Sequence, residues 1–195
     1  LKYMGAVTLA LAVQCLVVYQ LLLFVFTRLN PLRFLKRFSP VMMFAFTTAT
    51  SNATIPLSID TLDKKIGVSK KISSFTIPLG ATINMDGTSI MQGVAVIFIA
   101  QVYGMELTPA QLLTVIATAM IASIGTAGIP SVGLIMLAMV LTSVGLPTEG
   151  IALIMGIDRI LDMLRTAVNI TGDAVCTTIV SSQNKELDRS IFNRD

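Results

Sequence analysis

The sequence predicts an all-α membrane protein in which re-entrant helical hairpins and broken transmembrane helices form an inverted repeat. Three observations carry that expectation. The 195-residue chain is 54% hydrophobic and only 13% charged, with a mean hydropathy of +0.80, whereas soluble domains are about a quarter charged. Its charges gather at a few points between long uncharged stretches. Two of those stretches break centrally at similar polar, proline-containing tips, Ala53–Pro56 and Ala127–Pro130, and each is followed by an apolar span with a polar interruption.

Tyr3 to Thr27 carries no charge and, at 1.5 Å per residue, is long enough to cross about 30 Å of hydrocarbon. Residues 1–29 are therefore one full span. Arg28, Arg33, Lys36 and Arg37 follow, and Lys64, Lys65, Lys70 and Lys71 form a second basic cluster. Both belong on the cytoplasmic side, so residues 30–71 enter and leave by one face. The break falls in Thr47–Pro56, where Ser, Thr, Asn and Pro favour a turn, which makes this segment the first re-entrant hairpin. Residues 72–105 read as a transmembrane helix broken at Asn84–Thr88. Residues 106–148, uncharged between Glu106 and Glu149 and broken at Ser123–Pro130, are a second hairpin entering from outside. Residues 149–183 return inward as a last amphipathic span, and 184–195, with Lys185 and Arg189, are a cytoplasmic tail. Laid side by side, Asn84–Thr88 after the first tip matches Asn169–Asp173 after the second, and the halves enter from opposite faces. Paired hairpins with breaks at mid-depth are a signature of secondary transporters.

Composition excludes several other functions. There is no His and no Trp, and the two cysteines, Cys15 and Cys176, lie in apolar stretches. That removes His proton relays, His/Cys metal sites and a disulfide scaffold. No Ser or Cys stands beside an obvious base, so no catalytic residues are expected and the chain is not read as an enzyme. The net charge of +3 is clustered as membrane topology requires, and no nucleic-acid partner is expected. The chain begins at Leu1 and enters an apolar segment without a signal-peptide cleavage site, so it reads as an internal or truncated piece.

The last span carries the chemistry. Asp158, Asp162, Arg165, Asn169 and Asp173 fall within an arc of roughly 80° on a helix. A charge at the bilayer centre costs about 2.5–3.5 kcal/mol, so this stripe should face a protein interior or aqueous cavity and be paired there. Asp158, beside Arg159, is the structural member. Asp162 and Arg165 neutralise one another when the site is empty and separate an ammonium from a carboxylate when it is loaded. The planar fork of Arg165 suits a carboxylate, which implies an anionic side chain on the substrate. Sodium, a hard cation, wants oxygen ligands. Asp86, Asp173, Asn84 and Asn169 supply them, together with carbonyls freed around Gly80–Met85 and Ser123–Thr126. Backbone N–H groups at the hairpin tips add an anion-binding element.

Three long motifs, Gly80–Thr88, Ser123–Pro130 and Asp162–Asp173, resemble those of the dicarboxylate/amino acid:cation symporters, which include archaeal aspartate transporters and mammalian excitatory amino acid transporters. The resemblance covers essentially the whole chain as the family's C-terminal half, from its sixth span to its eighth. It implies an elevator-type transport domain in the plasma (inner) membrane, multi-pass, with the second hairpin as outer gate and a homotrimer formed through the missing N-terminal half. It further implies that Arg165 binds the side-chain carboxylate of L-aspartate or L-glutamate and Asp162 its amino group. Asn169, Thr166 and Thr88 would line the pocket, and Ser51, Asn52, Ile129 and Gly133 would meet the α-carboxylate or close over the ligand. Sodium ions are the implied coupling ions, with no organic cofactor. One site would use Gly80, Asn84, Asn169 and Asp173, a second Thr82, Met85, Ser123, Ile124 and Thr126, and a third Asn84 and Asp86. The family's helper arginine is absent from both of its places, held here by Ala49 and Met163, and Arg159 stands as a substitute. Sodium-coupled symport of acidic amino acids is the resulting expectation. The nearest rival is a proton-coupled or C4-dicarboxylate carrier of the same fold, and a passive channel is the rival from another class.

Overall fold

The computed structural model describes residues 1–124 and 131–194. Among them the chain is helical throughout, with no strand beyond an isolated bridge between Val68 and Leu187. Helices α1 (Lys2–Val13) and α2 (Tyr19–Thr27) form one rod through a π turn at Gln14–Val18. Its buried face is a stripe at every fourth residue, Tyr3, Val7, Leu11, Cys15, Tyr19, Leu23 and Thr27. Such a stripe drifts about 40° per step on an α-helix, and the π turn takes up an extra residue that winds it back. The rod ends where Arg28 turns left-handed (φ 60°), its N–H donating to the Phe24 carbonyl.

Helix α3 (Pro31–Thr48) starts with Pro at its first position, and the Asn30 side chain caps it by accepting from the Arg33 N–H at 3.1 Å. Left-handed Ala49 (φ 51°) and extended Thr50 reverse the chain into α4 (Ser51–Thr61). A further π turn at Leu62–Ile66 runs to Gly67 (φ 86°), which meets the tail so closely that an added Cβ would lie 2.1 Å from the Asp188 carbonyl. Helices α5 (Lys70–Ile83) and α6 (Asp86–Val102) are separated by non-helical Asn84 and Met85. Helices α7 (Pro109–Ile124) and α8 (Val132–Ser143) pack on one another and on α6. After a 3-10 turn at Thr148–Ile151 come the 32-residue α9 (Ala152–Gln183) and the short α10 (Arg189–Asn193). Among the described residues two stretches are long and apolar enough to cross a membrane, Lys2–Thr27 and Lys70–Val102.

α9 is the axis of the molecule. It touches α1 through α6, and every residue from Arg165 to Val175 is buried. A helix enclosed on all sides is normally apolar all round. This one buries Arg, Asn, Thr and Asp, so each polar group must find its partner inside.

The structure narrows two of the sequence expectations. The turn of the first helix pair is confined to Ala49 and Thr50, and Ser51–Pro56 is already helical with Pro56 inside α4, because Ser, Asn and Thr serve at a helix start as well as in a loop. The repeat is also not matched in backbone. The chain breaks at Asn84–Met85, but α9 runs unbroken through Asn169–Asp173, where Thr171 bonds back to the Ala167 carbonyl at 2.7 Å.

Candidate functional site

The centre of the site is Arg165, 2% exposed on α9. Its Nη1 donates to Asp158 Oδ1 at 2.8 Å and its Nη2 to Asp162 Oδ1 at 2.6 Å. Spacings of seven and three place both carboxylates on the face of α9 that carries Arg165. The expected Asp162–Arg165 pair is present, and Asp158 joins it as the second arm rather than turning to Arg159, which is exposed. Two carboxyl groups thus share one guanidinium, and Asp158 Oδ2 is buried without a hydrogen-bond partner. The other oxygen of Asp162 accepts the Ser131 N–H at 3.0 Å. Ser131 is the left-handed residue (φ 64°) that opens α8, so the second helix pair is tied to the ion cluster directly.

Gly133, the second residue of α8, lies against the same group. A Cβ there would stand 3.1 Å from Thr88 Cγ2 and 3.5 Å from Arg165 Nη2. Thr88, at the start of α6, thus comes together with Arg165 and Gly133, and Thr166 packs alongside with its hydroxyl bonded to the Asp162 carbonyl at 2.8 Å. Ser51 is buried at the start of α4, while Asn52 beside it is exposed. Ile129 lies outside the described residues.

A turn further along α9, the helix break between α5 and α6 closes on Asn169 and Asp173. Asn169 Oδ1 accepts the Gly87 N–H at 2.7 Å, and its Nδ2 faces the Met85 sulfur at 3.3 Å. Asn84 donates to Asp173 Oδ1 at 2.8 Å and to the Asn169 carbonyl at 3.3 Å. The second oxygen, Asp173 Oδ2, is buried with no partner. Gly80 meets this carboxylate so closely that an added Cβ would lie 2.5 Å from Oδ1. An unsatisfied buried carboxylate oxygen beside the Asn84 amide and the Gly80 backbone suits a hard cation chemically, and Gly80, Asn84, Asn169 and Asp173 are the residues that could hold one.

Asp86 accepts at Oδ2 from Gln14 Nε2 at 3.0 Å and from the Tyr19 hydroxyl at 2.9 Å. Of the remaining residues expected to hold cations, Ser123 is buried and accepts from the Ser89 hydroxyl at 2.7 Å. The side chain of Thr82 is exposed and bonded within its own helix to the Leu79 carbonyl at 2.7 Å, and that of Ile124 is 52% exposed. Thr126 lies outside the described residues. Sequence reading missed Gln14 and Tyr19, although two polar side chains in an uncharged span were the available signal. It also missed Gln92, which donates to the Gly133 carbonyl at 3.3 Å.

Fold and site together define a helical, strongly apolar protein with a buried cluster of one arginine and two aspartates in its interior. The description of the sodium:dicarboxylate symporter family matches residues 1–183, and the chain belongs to that family. It is 43% identical over 183 residues to the excitatory amino acid transporter of Caenorhabditis elegans, covering 94% of this chain and 36% of the relative. Against excitatory amino acid transporter 3 of Mus musculus it is 43% identical over 184 residues, 94% of this chain and 35% of the relative. Against excitatory amino acid transporter 1 of Homo sapiens it is 42% identical over 193 residues, 99% of this chain and 35% of the relative. The chain spans about a third of the length of these curated relatives.

Proposed function

We propose that this chain carries the substrate- and ion-binding core of a sodium-coupled symporter of acidic amino acids, aspartate or glutamate. The observation that carries the reading is the buried Arg165 shared between Asp158 and Asp162. A substrate bearing both an ammonium and a side-chain carboxylate can replace that internal arrangement term for term. Its carboxylate takes the guanidinium fork, and its ammonium takes Asp162. A buried charge left alone is costly, so neither partner is released until the substrate supplies the opposite charge. Thr88, Thr166, Asn169, Ser51, Asn52, Ile129 and Gly133 form the proposed remainder of the pocket.

Sodium is the cargo that couples to this exchange. Asp173 and Asp86 bring negative charge close to the substrate position, and cations at Gly80, Asn84, Asn169 and Asp173, at Thr82, Met85, Ser123, Ile124 and Thr126, and beside Asp86 would compensate it. Because Asn169 belongs to both the substrate and the cation sets, occupation of one alters the other, which is the physical basis of coupling. Helix pairs α3/α4 and α7/α8 serve as re-entrant hairpins, the second as outer gate, in a multi-pass plasma (inner) membrane protein. The elevator movement and a homotrimer belong to the same reading.

The family description names dicarboxylates, and a C4-dicarboxylate or proton-coupled carrier is the second reading. Asp162 repels a second carboxylate and matches an ammonium, which favours the amino acid. Calorimetric titration of L-aspartate, L-glutamate and succinate, each in sodium and in choline, decides between them. Amino-acid binding that requires sodium is expected. Succinate binding, or indifference to sodium, would overturn the first reading in favour of the second.

A further inference from the structure

At the foot of the first rod, remote from the Arg165 cluster in chemistry and contacts, a cavity of about 310 Å³ is lined by Arg28, Asn30, Arg33, Arg189, Phe192 and Asn193 among others. Its volume is about ten times the share of one liquid water molecule. Each arginine is presented by a different feature of the fold. Arg28 is turned out by its left-handed backbone, with its guanidinium 5.9 Å from the centre of the Phe24 ring. Arg33 sits in the first turn of α3 and reaches the carbonyls of Phe192 and Asn193, each at 3.4 Å. Arg189 opens α10 and donates to the Thr27 carbonyl at 2.7 Å. Arg28 and Arg189 have no acidic partner among the described residues, and no acidic side chain among them lines the cavity. The carbonyl partner of Arg189 orients its guanidinium without cancelling its charge.

The surface leading to this cavity is apolar. Leu21, Phe24, Val25 and Phe26 on the outer side of α2 are 45–60% exposed, and Leu32, beside Arg33, is 77% exposed. Positive charge in a pocket at the end of an apolar span, continuous with an exposed greasy flank, is complementary to a molecule with an anionic head and hydrocarbon tails. We propose that the cavity holds the phosphate headgroup of an anionic phospholipid, with its acyl chains along α2. Bound there, the phosphate ties the end of α2, the start of α3 and α10 together. The proposal rests on α1–α2 lying in a bilayer and is independent of what the Arg165 site carries.

Native mass spectrometry of the detergent-solubilised chain tests it, with dioleoyl phosphatidylglycerol and dioleoyl phosphatidylcholine as the probes at equal concentration. Retention of one phosphatidylglycerol per chain, at least about ten-fold over phosphatidylcholine, is expected, since each juxtamembrane arginine is worth about a five-fold change. Arg28→Asn keeps a residue that accepts left-handed backbone and should lower retention about five-fold. Lys71→Gln, which removes a charge outside the cavity, should leave retention unchanged. Equal retention of the two lipids in the unaltered chain, or the same loss with both variants, overturns the proposal. Displacement of phosphatidylglycerol by inorganic phosphate alone assigns the cavity to a free anion and overturns it as well.

Discussion

Arg165 and its two carboxylates are the residues on which the most depends. Replacing Arg165 by Ala strands Asp158 and Asp162, both buried, and breaking a buried pair on one side costs about 3–5 kcal/mol. Loss of acidic amino-acid binding together with a lowered unfolding temperature is therefore expected, read by titration and thermal unfolding of the same sample. Gly80→Ala acts at the other centre. Its Cβ would sit 2.5 Å from Asp173 Oδ1, so the carboxylate must move, at an overpacking cost of about 1–3 kcal/mol. Sodium titrated calorimetrically should bind this variant far more weakly while the unaltered protein binds it normally. Ala49 is strained in the opposite sense. Holding an L-residue left-handed costs about 1–2 kcal/mol, and at φ 51° Ala49→Gly is expected to raise the unfolding temperature.

Among the elements, α9 and the tail make opposite demands on sequence. In an exposed helix interior, Gly→Ala gains about 1 kcal/mol. At Gly172 the new Cβ would lie 2.5 Å from the Tyr19 hydroxyl and 2.7 Å from Asn84 Nδ2, so the packing loss outweighs the propensity gain and Gly172→Ala should destabilise. Thermal unfolding of this variant, alongside Gly156→Ala, where nothing lies within 4 Å, separates the two effects. The tail is held by the backbone instead. The Asp188 N–H donates to the Gly67 carbonyl at 2.7 Å, and Arg37 donates to the Lys65, Ile191 and Arg194 carbonyls. Hydrogen bonds from Ser190 keep the exposed Asp188 carboxyl below the usual carboxylate range. A depressed folded value means that the contribution is complete above the unfolded value of about 3.9 and is lost as pH falls through the folded one. Protection of the amides in residues 188–194, taken relative to their intrinsic exchange rates at each pH, should therefore fall in acid below about pH 4, and Asp188→Asn should remove that acid dependence.

For the whole molecule, sodium is expected to raise the unfolding temperature in proportion to the logarithm of its concentration, as any ligand of the folded state does, with choline without effect. If the two salts gave the same curve, the cation assignment would fail. Much of this was legible in the residues themselves. Uncharged runs between basic clusters pointed to long helices, since hydrocarbon tolerates few charges, and the structure is helical among the described residues. The spacing from Asp158 to Asp173 gave one polar face, because helical periodicity is local. What distance along the chain hides is which groups meet across helices. The Gln14 and Tyr19 bonds to Asp86, the Ser131 N–H on Asp162 and the near-contact of Gly80 with Asp173 join residues far apart in sequence, and no periodicity encodes them. Nor could the repeat show that Asn84–Met85 breaks while Asn169–Asp173 stays helical. Both segments carry the same polar residue types, and the enclosure of α9 by its neighbours fixes the outcome. Sequence alone determined the helical class and the charged stripe, because these follow from composition and local geometry, and its three long motifs carried the resemblance to the family. The tertiary structure decided the partners of each charge, because only packing brings distant polar groups within bonding reach.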